Sequence, residues 1–135
     1  MISVFEHPWL GGLFGDDEAA ALWSPEAQLD HFRAFEAALA RALEQSGLVP
    51  SGHGAVAASV IETADIDLQG LARGTGTDGL PIPNLVKQLR AVAGDYRAAV
   101  HTGATSQDVM DTALSLTLKA LTDLLQLRLK ELDAT

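Results

Sequence analysis

The sequence predicts an all-α protein. Apolar residues recur at helical rather than alternating spacing. The gaps between those runs carry residues that start or stop helices. From Thr105 to its end the chain holds neither Gly nor Pro. No strand pattern competes with this reading.

Taken in order, residues 1–23 are expected to be irregular, because Pro8, Gly11, Gly12 and Gly15 interrupt them. A first clear helix is expected over about 25–46. Ser24 suits the N-cap and Pro25 the first helical position. Leu29, Phe32, Leu39 and Leu43, with Ala40, fall on one stripe. Gly47 stands where a left-handed C-cap would, followed by Pro50. Weaker periodicity predicts helices over about 54–63 and 67–73. Gly74-Thr75-Gly76-Thr77-Asp78-Gly79 is expected to be a loop by composition, closed by Pro81 and Pro83. Leu85, Val86, Leu89 and Val92 then mark a helix over about 84–93, which Gly94-Asp95 breaks. The last helix is expected from near Thr105 to the chain end, about 42 Å at 1.5 Å per residue. Its broad leucine face needs long neighbours to bury it.

The totals narrow the function. The 135 residues fit one domain, and 47% apolar with 20% charged residues excludes a disordered chain. Nine Lys and Arg against 18 Asp and Glu give a net charge of −9, which argues against nucleic acid or anionic lipid as a partner. There is no cysteine, so disulfide and thiolate chemistry are excluded. His7, His31 and His53 are isolated, no metal site is expected, and His31 is expected to be solvated. The amino terminus lacks a basic n-region, and no run reaches the ~20 apolar residues of a bilayer span. A cytoplasmic protein is the expectation.

One segment could carry chemistry: His101-Thr102-Gly103-Ala104-Thr105-Ser106-Gln107-Asp108-Val109-Met110-Asp111-Thr112. Thr105 and Asp108 have the spacing of a capping box. Free amides of a helix's first turn favour an anion, and the hydroxyls of Thr105 and Ser106 would add donors. His101 can donate to a carboxylate. Helix capping and carboxylate binding are both compatible with this spacing. Lys87, Arg90 and Arg97 precede the segment and either raise its potential or form a solvated face. The Gly74–Gly79 stretch lacks the Lys-Ser/Thr ending of a phosphate loop.

The string HTGATSQDVMDTA resembles the first signature region of the fumarase/aspartase superfamily, in the form found in its 3-carboxy-cis,cis-muconate cycloisomerase branch. LWSPEAQLDHFRAFEAALARALEQSGLVP is similar to that family's first long helix and following loop. PIPNLVKQLRA is similar to the helix before the signature. The resemblance runs from about Leu22 to the end. It implies residues 1–104 as an N-terminal helical domain and 105–135 as the start of the first long helix of a central bundle. It also implies that His101, Thr105, Ser106 and Gln107 line a pocket for a small polycarboxylate substrate, with Asp108 and Asp111 structural. The family's acid/base histidine and its mobile serine loop have no counterpart here. No catalytic acid or base is therefore expected in this chain, and those groups are expected beyond Thr135. No metal or organic cofactor is implied, and the full enzyme is expected to be a homotetramer. Adenylosuccinate lyases carry a histidine where this chain reads Pro83-Asn84-Leu85, which disfavours that branch. A non-catalytic helical interaction module is the remaining alternative.

Overall fold

A computed structural model describes residues 3–134; Met1, Ile2 and Thr135, at the ends of the spans assigned above, lie outside the described residues. Seven α-helices and one 3-10 helix follow in order, with no strand among the described residues. They are α1 (Gly11–Phe14), α2 (Asp17–Ala21), α3 (Pro25–Gln45), α4 (His53–Thr63), α5 (Leu68–Asp78), α6 (Ile82–Ala93), the 3-10 helix Gly94–Ala99 and α7 (Ser106–Asp133). The all-α expectation holds. The chain divides into two compact units, Asp30–Leu114 and a second formed by the residues up to Leu29 and from Ser115 on.

The unit Asp30–Leu114 has a finished core. Ile82, Leu85 and Leu89 of α6 are fully buried, as is Ile61 of α4, and α6 packs on α4, on α5 and on the 3-10 helix. The small residues Ala37 and Ala40 turn inward from α3. Polar links tie the helices together. Arg41 of α3 donates to Glu62 of α4 at 2.6 Å, and Arg33 donates to the Ala64 carbonyl. α3 ends at Gly47, whose φ of +69° is the left-handed C-cap expected there. The Leu48 amide returns to the Leu43 carbonyl at 2.9 Å. α4 begins at Gly52, which has no side chain to cap it. Glu44 of α3 does so instead, accepting from the amides of Gly52 at 2.6 Å and Ala55 at 2.8 Å. Those bonds hold its carboxyl below the usual carboxylate range.

The Gly74–Gly79 stretch is not a loop: α5 runs through Gly74, Thr75, Gly76, Thr77 and Asp78, and stops at Gly79. Two features override the local composition. The hydroxyls of Thr75 and Thr77 bond back to the carbonyls of Leu71, at 2.8 Å, and Arg73, at 3.3 Å. Gly74 also lies against Asn84 of α6 so closely that a Cβ there would sit 2.6 Å from the Asn84 Cβ. The glycine is thus a contact point between helices rather than a breaker. The predicted helix over 67–73 is correspondingly longer.

In the other unit, residues 3–23 are less irregular than expected. Asp16 caps α2 by accepting from the Ala19 amide at 3.1 Å, with Asp17 and Glu18 in the first turn. Arg128 of α7 binds Asp16 at 2.9 Å and Glu18 at 2.6 Å. That guanidinium, with the cap, holds the Asp16 carboxyl far below the usual range. Ser24 caps α3 as expected, accepting from the Ala27 amide at 3.1 Å. Much of this unit's apolar surface is open: Phe5, Trp9 and Leu13 near the amino terminus, and Leu125, Leu127, Leu129 and Leu132 on α7. No helix of the described residues is long and apolar enough to cross a membrane.

Candidate functional site

The loop between the 3-10 helix and α7 is held residue by residue. The Val100 carbonyl accepts two bonds from the Arg90 guanidinium, from Nε at 3.2 Å and Nη2 at 3.1 Å. Thr102 Oγ1 donates to the Ala98 carbonyl at 2.8 Å. Between them His101 takes φ +54°, in the left-handed region, and Gly103 follows at +80°. A left-handed backbone is costly for a residue with a Cβ, on the order of 1–2 kcal/mol. The clamps on either side, and a bond to its own ring, keep His101 there.

That bond is to Glu36. His101 Nδ1 lies 2.6 Å from Glu36 Oε1. Glu36 is fully buried in the middle of α3, and the His101 side chain keeps 13% of its surface exposed. Burial pushes the Glu36 carboxyl above its ordinary value, opposed by the His101 hydrogen bond and charge and by the charge of Arg90. Glu36 escaped the sequence reading, although a signal for it was present. It stands four residues after Phe32 and four before Ala40, on the apolar stripe itself, where a carboxylate requires a partner.

The start of α7 is a capping box. The Thr105 amide and hydroxyl both donate to Asp108 Oδ2, at 2.7 and 2.9 Å, and the Asp108 amide lies 3.4 Å from Thr105 Oγ1. The Thr105 donors hold the Asp108 carboxyl below its usual range, and the His101 charge adds to the effect. Thr105, expected to meet substrate, is therefore occupied by the cap. The Gln107 amide side chain donates to Asp111, one turn on. Ser106 takes no part in the box and is half-buried. By helix geometry the Ser106 and Gln107 amides have no intrahelical acceptor. His101 and Ser106 thus remain the side chains best placed to meet a ligand, beside a helix N-terminus that favours an anion.

The remaining candidates settle simply. Lys87 and Arg97 are exposed, whereas Arg90 braces the loop. His31 is half-buried on α3 rather than solvated. His53 packs edge-on against Tyr96, with ring centres 5.1 Å apart, and His7 against Trp9 at 4.3 Å. Among the described residues no group of three His, Asp or Glu is placed to hold a metal.

Known proteins share this arrangement of helices and this sequence. No family model matches the chain. A 3-carboxy-cis,cis-muconate cycloisomerase of Pseudomonas putida is 41% identical in an alignment of 120 positions that covers 84% of this chain and 28% of that protein. An adenylosuccinate lyase of Pyrococcus horikoshii is 32% identical over 119 residues, 88% of this chain and 26% of that one. The crystal structure of the 3-carboxy-cis,cis-muconate lactonizing enzyme from Pseudomonas putida superimposes with a TM-score of 0.78 at 34% identity, over 88% of this chain and 28% of that chain. The chain's homologues and structural neighbours are members of the fumarase/aspartase superfamily. The chain spans about a quarter of the length of the curated superfamily relatives it matches. The segment from His101 to the start of α7, which resembles that superfamily's first signature region, folds as a braced turn leading into a capped helix.

Proposed function

We propose that this chain provides the carboxylate-holding part of the active site of a lactonising 3-carboxy-cis,cis-muconate cycloisomerase. What supports this is His101 in the braced loop that leads into α7 and Ser106 in that helix's first turn, within a chain 41% identical to a cycloisomerase and 32% identical to an adenylosuccinate lyase. In the reaction, a carboxylate oxygen of the substrate adds to a double bond and a proton reaches the neighbouring carbon. Run backwards this is a β-elimination, the chemistry shared with the lyases. Charge builds up on a carbon conjugated to a second carboxylate, and donors that hold that carboxylate lower the barrier. His101, the Ser106 hydroxyl and the first-turn amides of α7 are such donors. The acid and base come from other segments of the enzyme, contributed across a homotetramer in which the leucine face of α7 is covered. The setting is cytoplasmic breakdown of protocatechuate, with no metal or organic cofactor.

The test is a lactonisation assay on the full natural chain, set beside adenylosuccinate cleavage by the same preparation. Lactone formation from 3-carboxymuconate is expected, and Ser106→Ala is expected to weaken kcat/KM by about 1–3 kcal/mol. Cleavage of adenylosuccinate without lactonisation would move the assignment to the lyase reading, which the Pyrococcus relative favours. Neither activity, together with an unchanged Ser106→Ala protein, would return Ser106 to helix geometry alone and favour an interaction module.

A further inference from the structure

Glu36 and His101 are 65 residues apart in the chain and 2.6 Å apart in space. One carboxyl oxygen of Glu36, Oε1, meets the ring; the other, Oε2, is buried without a hydrogen-bond partner. We propose that Glu36 is a positioning residue which, by sharing a proton with His101 Nδ1, keeps the far ring nitrogen Nε2 protonated as a donor to a substrate carboxylate. This rests on the carboxylate-binding reading of the site given above.

The argument is one of counting protons. At 2.6 Å a hydrogen lies between Glu36 Oε1 and His101 Nδ1. If that hydrogen belongs to Glu36, the neutral imidazole must carry its own hydrogen on Nε2. If it has passed to the ring, the ring is an imidazolium and Nε2 is again protonated. Only a third state, an ionised Glu36 beside a neutral ring protonated at Nδ1, makes Nε2 an acceptor that would repel a carboxylate. The surroundings disfavour that state. It places a carboxylate at a fully buried position, with Oε2 unpaired. The same burial raises the Glu36 carboxyl above its ordinary value. Two other charges act on the pair. Arg90, from α6, favours an ionised Glu36, but its guanidinium is tied to the Val100 carbonyl. Asp108, from α7, faces the same ring, and a charged His101 would lower its carboxyl further. The left-handed backbone at His101 completes the device, because it fixes from which side the ring approaches Glu36.

Nitrogen NMR of the full natural chain, with labelled histidine, reads the proton directly. His101 Nε2 is expected to give the signal of a protonated nitrogen near pH 7, as either proton position between Nδ1 and Glu36 requires. An unprotonated Nε2 near pH 7 overturns the proposal without any variant being made. Glu36→Gln keeps the shape but cannot hold the shared proton. It is expected to leave part of the His101 population with its hydrogen on Nδ1 and none on Nε2 in the nitrogen spectra. It is also expected to raise KM for the polycarboxylate roughly tenfold while kcat changes less. Glu36→Asp should recover part of the KM. An unchanged His101 nitrogen spectrum and unchanged KM in Glu36→Gln would sink the idea. If the natural protein turns over no polycarboxylate, the functional reading of the site fails, and the nitrogen spectra still decide whether Glu36 governs the proton. Should Glu36→Gln fail to fold, the spectra of the unsubstituted protein decide alone.

Discussion

The two compact units treat their apolar residues in opposite ways. In Asp30–Leu114 the large side chains of α6 are shut away, with Ile82, Leu85 and Leu89 at 0% exposure. In the other unit Trp9 is 76% exposed, Leu13 74% and Leu132 71%. Both regions are rich in leucine and alanine, so composition does not separate them. Neighbours do. The first unit surrounds α6 with α4, α5 and the 3-10 helix, whereas the leucines of the long helix α7 are left open within their own unit. The functional loop lies in the unit that completes its own core, which is where a strained residue such as His101 can be held.

The contrast can be broken most forcefully at its two extremes. Leu89→Ala should destabilise the 135-residue chain by about 2–5 kcal/mol in a denaturant titration. Leu129→Ala, at an exposed position, should change it by less than about 0.5 kcal/mol. Equal losses at the two positions would mean that the α7 face is covered in solution. A smaller effect is expected at the contact between α5 and α6. Gly74→Ala adds a Cβ 2.6 Å from that of Asn84, an overpacking worth about 1–3 kcal/mol. The better helix propensity of alanine returns about 1 kcal/mol. Because the Asn84 Cβ moves only with its backbone, a net loss of about 1 kcal/mol is expected. A stabilised Gly74→Ala protein would show that the two helices can slide apart. The smallest effect belongs to Arg128. Its pairs with Asp16 and Glu18 lie at the surface, so Arg128→Ala should lower the unfolding midpoint only slightly, and less so in high salt. The folded Asp16 carboxyl lies below its unfolded value of 3.8. Its contribution is therefore present above that pH and is lost as the pH falls through the folded value. Acid titration of the wild type and Arg128→Ala chains should bring their stabilities together. A gap that persists at low pH would assign the effect to packing of the arginine stem.

Where helix ends are set by neighbouring residues, the sequence was readable. Ser24, Gly47 and the Thr105–Asp108 box act within a few positions of themselves, and each does in the structure what its spacing predicts. The failures have the opposite character. Gly74 looked like a breaker because its reason for being glycine, Asn84, lies on the next helix. Glu36 looked like one more polar residue because its partner is 65 positions away. The candidate site was half legible for the same reason. The string from His101 to Asp108 announced a helix start. It did not show that the cap would occupy Thr105, or that a buried carboxyl on α3 would hold the histidine.

The left-handed turn at His101 has a consequence for anyone wishing to borrow it. Its backbone is kept in place by Arg90 from one helix, Glu36 from another and Ala98 from the preceding turn, none of which belongs to the signature string. Grafted onto a foreign scaffold, the letters HTGATSQD would bring a good helix start and an ordinary loop, with the imidazole free to wander. The smallest transferable unit is the braced assembly of α3, α6, the 3-10 helix and the first turn of α7. A search for similar turns would do better to look for a buried acid facing a left-handed histidine than for the motif itself.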